Sequence, residues 1–153
     1  MTRSKGIVIV LILGSTFMLL RAFFSHIAIA QTPSVPYTFY WADTSHSIGL
    51  DDYVRFPCAH ELIDSRVAHC IKQVKCMPGM RLERREDGFY CDGQFIDTFR
   101  LKMKNGNDLP QFAYSGEVPK GMAFMYGSGV NSLDSRYLGL FPLEDAMHLD
   151  PWF

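Results

Sequence analysis

Residues 118–141 read VPKGMAFMYGSGVNSLDSRYLGLF. Pro119 and Gly121 mark a turn. Met122 to Tyr126 is apolar and bounded by glycine, the pattern of a buried strand. Gly127 to Ser135 is rich in glycine and serine and reads as a loop, and Tyr137 to Phe141 reads as a final strand. On an extended segment Ser132, Asp134 and Arg136 point to one side. A hydroxyl, an acid and a base would then meet near one spot. On spacing alone, a surface turn followed by a strand, with a weak exposed ion pair, is the favoured reading.

The segments upstream continue the β pattern. Tyr37 to Trp41, Tyr53 to Phe56 and Val67 to Val74 read as strands. Glu61 to Arg66 reads as a helical turn or a loop, and Met77-Pro78-Gly79-Met80 as a turn. Arg81 to Asp87 is a charged hairpin flank, and Phe89 to Cys91 pairs with Gln94 to Ile96 around Asp92-Gly93. Asn105-Gly106 marks a further turn. Short strands with frequent turns predict a mainly β, barrel-like domain.

The chain has 153 residues and a formal net charge of −1. That suits one domain plus an anchor and excludes the basic footprint of a nucleic-acid binder. Arg3 and Lys5 precede an uncharged apolar run from Gly6 to Leu20, which resumes after Arg21. Counted through Phe24, the run is long enough to span a bilayer if Arg21 snorkels. The positive-inside rule then keeps Arg3 and Lys5 cytoplasmic and places the body outside. A cleaved signal peptide ending at Ala28-Ile29-Ala30 fits the same residues. Three parts are expected: an anchor or signal segment at 1–30, a linker and first strand at 31–42, and the β domain at 43–153. The localisation is the inner (cytoplasmic) membrane with the domain on the periplasmic side, or the periplasm if the segment is cleaved.

Cys58, Cys70, Cys76 and Cys91 all lie in the exported part. An even count in an oxidising compartment predicts two disulfides. Cys76–Cys91 is favoured because a turn-rich stretch separates them, which leaves Cys58–Cys70. No CxxC and no clustered histidines occur, so no metal and no cofactor are expected. His60, His69 and His148 are expected at the surface or in packing.

Residues 118–141 resemble the C-terminal signature of signal peptidase I type serine peptidases, in the spacing of the plasmid conjugative-transfer (TraF type) branch. The matching positions are Pro119, Gly121, Gly127, Ser132, Asp134, Ser135, Arg136, Tyr137 and Gly139. Cys70 to Leu82 resembles the family's lysine block, which puts the catalytic lysine at Lys72 with Lys75 on the opposite strand face. Leu50 to Phe56 resembles a third block. In that branch a Thr/Ser-x-Ser pattern precedes the nucleophile's turn. Within Asp43 to Gly49 (DTSHSIG) it puts the nucleophile at Ser47 and an oxyanion-hole hydroxyl at Ser45. The family usually has proline two residues after its serine, where this chain has Gly49. Lys72 follows Ser47 by 25 residues, fewer than the family pattern implies.

The resemblance implies a Ser/Lys dyad. A serine hydroxyl needs a base, and a lysine serves only when burial lowers its pKa. Ser132 would aim Lys72, Asp134 and Arg136 would brace the loop, and the Ser47 N–H with the Ser45 hydroxyl would hold the oxyanion. His46 beside the serines is an alternative base, disfavoured because neighbours on a strand face opposite ways. The expected function is a serine endopeptidase acting on exported or membrane-tethered precursors such as pilin, by hydrolysis or transpeptidation. The alternative is an inactive scaffold protein of the transfer apparatus with the same fold. Partners are a protein substrate and the membrane, with no nucleic acid.

Overall fold

The computed structural model describes residues 2–152, with side chains from Lys5 to Trp152. The side chain of Arg3 therefore lies outside the described residues. Helix α1 runs Thr2–Ser25. Its stretch Lys5–Ser25 is long and apolar enough to cross a membrane, and none of it is buried against the rest of the chain. Ile7, Leu11, Phe17 and Leu20 all stand exposed around it. An apolar surface on all sides of a helix matches a lipid environment. At its end, Phe23 and His26 pack on the Trp41 ring, with centroids 5.3 and 5.2 Å away.

The remainder is mainly β. The strands are β1 Ile27–Ile29, β2 Phe39–Asp43, β3 Tyr53–Pro57, β4 His69–Cys76, β5 Arg81–Arg85 and β6 Gly88–Cys91. They continue as β7 Gln94–Asp97, β8 Gly116–Glu117, β9 Met122–Tyr126, β10 Phe141–Pro142 and β11 Met147–Pro151. A seven-stranded sheet has the order β1-β2-β11-β3-β4-β9-β10, and a four-stranded sheet the order β7-β6-β5-β8. Strand β4 passes through the Met77–Met80 turn into β5, so one continuous segment joins the sheets.

The alternation of β3 and β4 explains the cores. Val54, Phe56 and Val74 point into one cluster with Ala123 and Met125. Tyr40, Ala42 and Leu149 pack in a second with Tyr53 and Ile71 at its margin. A third holds Cys76, Leu82, Phe89, Cys91, Val118 and Phe124 between the sheets. Cys58–Cys70 fastens the end of β3 to β4, and Cys76–Cys91 ties β4 to β6.

Three local expectations change. Tyr137 to Phe141 is not one strand: a short helix, α2, spans Ser135–Leu138, and only Phe141–Pro142 is extended. Asp134 is its N-cap, accepting from the Arg136 backbone N–H, which satisfies a donor that the helix start leaves free. Second, β1 lies within the segment expected to be anchor or signal, yet it pairs with β2. Third, β11 was unforeseen: its polar His148 and Asp150 hide a strand inserted between β2 and β3.

Candidate active site

Lys72 sits mid-strand on β4, opposite Val54 of β3. Its side chain is 4 % exposed. Nζ donates to Ser132 Oγ at 2.9 Å. Burial disfavours the ammonium and pulls the Lys72 pKa down to about 8; Asp134 partly opposes this, and Arg136 adds to it. Lys75 turns the other way, as the alternation requires, and pairs with Asp51 at 2.6 Å.

Ser132 belongs to a loop fixed from below by α2. Asp134 is fully buried. Its carboxylate accepts from the Gly127 N–H at 3.0 Å and from Arg136 Nε and Nη2 at 2.9 and 2.8 Å. Arg136 also donates to Asp97 and to the carbonyls of Thr98 and Gly127. Ser135 Oγ accepts from the Met125 N–H, pinning the loop to β9. Every polar group of this buried pair is matched, the condition under which a buried ion pair is tolerated.

Ser45 and Ser47 are placed elsewhere. Ser47 is exposed, and Ser45 Oγ donates to Asp43 at 2.7 Å. Their loop is moored by Asp51, whose N–H donates to the Val74 carbonyl and whose carboxylate holds Lys75. Among the described residues, neither serine bonds to Lys72, whose amine is taken by Ser132. The short loop between β2 and β3 is held at the Val74–Lys75 end of β4, away from the Ser132 end of the lysine.

Ser34 lies on the cavity that Lys72 lines. A cavity of about 1060 Å³ is lined by residues 27–34, 66–72 and 128–133, so Ser34, Lys72 and Ser132 share it. Residues 43–49 do not line it. The Gly129 N–H donates to the Ser34 carbonyl at 3.3 Å. Thr32 Oγ1 lies 2.8 Å from Ser34 Oγ. Two glycines make this approach possible. A Cβ on Gly127 would collide with Ser132 Oγ and with the Ser34 carbonyl, and one on Gly129 with the Pro33 carbonyl.

The stretch 31–36 (QTPSVP) reads as linker because two prolines enforce an extended chain. It nonetheless carries both marks sought around Ser47. Thr32-Pro33-Ser34 is a Thr-x-Ser pattern, and Pro36 stands two residues after Ser34. Lys72 follows Ser34 by 38 residues rather than 25. His46 does not reach the cavity either: its ring stacks on His148, 4.2 Å away. His69 lines the cavity rim, and the His60 ring accepts from the Leu62 N–H.

A signal peptidase I from Enterococcus faecalis V583 is similar to the chain at 22 % identity and a TM-score of 0.43, covering 66 % of this chain and 94 % of its own. No curated protein matches. The family described as signal peptidase, peptidase S26, matches residues 3–148, from the start of the apolar helix to His148 on β11. The chain therefore belongs to the peptidase S26 signal peptidase family.

Proposed function

We propose that the protein is a membrane-associated serine endopeptidase in which Ser34 is the nucleophile and Lys72 the general base. The observation that carries this is the buried Lys72 amine, bonded to Ser132 in a cavity that Ser34 also lines. A neutral amine accepts the Ser34 hydroxyl proton as Oγ attacks the scissile carbonyl carbon. The resulting ammonium protonates the departing amine, and the acyl-enzyme is then resolved by water or by a second amine. Ser132 fixes the direction of the lysine lone pair. Asp134 and Arg136 brace the loop that carries Ser132, and their charges push the Lys72 pKa in opposite directions. The Thr32 hydroxyl, beside Ser34 Oγ, is placed to donate to the oxyanion, the role expected of Ser45.

Substrates on this reading are extended segments of exported or membrane-tethered proteins, pilin-like precursors among them. The apolar helix α1 ends directly before β1, which lines the cavity, so the cavity sits at the foot of the membrane-spanning segment. The scaffold alternative drew its support from the missing proline and the short loop after Ser47. Ser34 with Pro36 removes both arguments.

The test is precursor processing in cells expressing Ser34→Ala, Ser47→Ala, Ser45→Ala, Lys72→Ala or Lys75→Ala at equal membrane levels. Processing ceases with Ser34→Ala and Lys72→Ala and persists with the other three. Normal processing by Ser34→Ala would remove this nucleophile, and normal processing by both Ser34→Ala and Lys72→Ala would restore the scaffold reading.

A further inference from the structure

The fold gathers a second polar cluster outside the Lys72 cavity. His46 lies in the loop after β2, Asp52 directly before β3, and His148 on β11. One ligand-capable atom from each lies within 4.8 Å of the others. His148 Nε2 is 3.7 Å from Asp52 Oδ2 and 4.0 Å from Asp150 Oδ1. Those separations are too long for a hydrogen bond. Two ligands of one tetrahedral ion with bonds of about 2.0–2.1 Å stand roughly 3.3 Å apart, close to the 3.7 Å found here.

The His148 side chain is only 6 % exposed, and its Nδ1 is buried with no hydrogen-bond partner. Nδ1 is not the atom that faces the cluster; Nε2 is, and it makes no hydrogen bond to Asp52 or Asp150. The charges around it point to a cation. Asp43 is the cross-strand neighbour of His148 on β2, and Asp52 and Asp150 flank its ring. Among the described residues none of these three carboxylates is paired with a lysine or arginine. Asp43 is engaged by Ser45, and Asp52 by the Gly49 N–H at 2.7 Å. That last bond aims the carboxylate and resembles the outer-shell support that metal ligands receive.

We propose that His46, Asp52 and His148 bind a divalent transition-metal cation, Zn²⁺ by the chemistry of two imidazoles and one carboxylate. The remaining position is open to water or to Asp150. The ion ties the loop between β2 and β3 to β11, the strand inserted between them. It is a structural site, separate from the cavity that holds Lys72. Spacing along the chain hides it, because His46 and His148 stand 102 residues apart.

The full-length protein in detergent, stripped with a chelator, is titrated with Co²⁺ followed by its visible absorption, and with Zn²⁺ by calorimetry. One ion binds per chain, Zn²⁺ displaces Co²⁺, and Zn²⁺ raises the midpoint of thermal unfolding. His46→Gln and Asp52→Asn each weaken binding at least tenfold. His46 is exposed, so its variant keeps the fold even if His148→Gln does not. His60→Gln and His69→Gln bind as wild type. Absence of stoichiometric binding, or binding unchanged in both His46→Gln and Asp52→Asn, overturns the proposal.

Discussion

Lys72 Nζ and Ser132 Oγ meet at 2.9 Å across 60 residues of sequence, and both are buried. That bond fixes where the amine points while burial fixes its charge. Ser132→Ala removes the orientation and keeps the burial. The expected result is a fall in kcat of about ten- to a thousandfold, less than the full contribution of a general base (about 10²–10⁴), with KM little changed. Gly127→Ala reaches the same end differently, because its new methyl collides with Ser132. Steady-state kinetics on a precursor peptide with both variants checks this. A loss confined to KM would assign Ser132 to substrate binding instead.

The lowered Lys72 pKa sets the pH profile. Below about pH 8 the amine is mostly protonated and cannot accept the serine proton. The log of kcat/KM therefore rises with unit slope as pH increases and levels off above about pH 8. Replacing the lysine would abolish this limb together with activity. A limb centred near 6.5 would instead indicate a histidine base.

The same shift has a sign for stability. The unfolded chain holds its Lys72 proton up to an ordinary value of about 10.5, and the folded one releases it near 8. Between those values the unfolded state binds more protons, so stability rises with pH. Below about pH 8 the folded protein carries the full penalty of a buried ammonium, on the order of 3 kcal/mol. Lys72→Met is expected to unfold at higher denaturant than wild type at pH 7. The gap shrinks between about pH 8 and 10.5. Denaturant melts at pH 7 and at pH 10 measure it, and an equal gap at both refutes the burial argument.

The sequence carried the β architecture because the core strands are short, apolar or aromatic and bounded by turn residues. Met122–Tyr126 and the hairpin at Asp92-Gly93 are examples. Lys72, Ser132, Asp134 and Arg136 fall in two compact motifs, and the structure buries all four. The sequence hid α2, since a four-residue helix has no period to detect and rests on one cap at Asp134. Ser34 was hidden for the opposite reason. Its prolines announce an extended linker, whereas the chain turns at Pro33-Ser34 and sets Ser34 on the cavity. Strand β11 carries His148 and Asp150, and no local pattern shows that such residues lie between two other strands.

Asp134 and Arg136 are a buried pair, and removing Asp134 leaves the guanidinium with Asp97 alone as its ion-pair partner. Asp134→Ala removes two bonds to the guanidinium and frees the Gly127 N–H. The loss of stability is expected at about 3–5 kcal/mol. Arg136→Lys keeps the charge but not the fork that reaches Asp134, Asp97 and two carbonyls, so it also destabilises. Equilibrium unfolding of both variants, with Asp64→Asn as an exposed control, separates a buried brace from a surface pair. A change below about 1 kcal/mol for Asp134→Ala would class it with exposed pairs.

The Cys76–Cys91 bridge joins the two sheets inside the third core cluster, and its residues are 15 apart. Closing a loop of that size restricts the unfolded chain by about 3 kcal/mol. The double variant Cys76→Ala/Cys91→Ala is expected to lose that much and slightly more from the two emptied core positions. The Cys58–Cys70 bridge has a separation of 12 and one partner, Cys70, only half-buried, so its double variant loses less. Because Lys72 lies between the two bridges on β4, reduction loosens the strand that carries the base. Processing activity should then fall in reducing buffer even where the chain remains folded by circular dichroism. Activity unchanged by reduction at full thiol exposure would mean that β4 is held by its sheet partners alone.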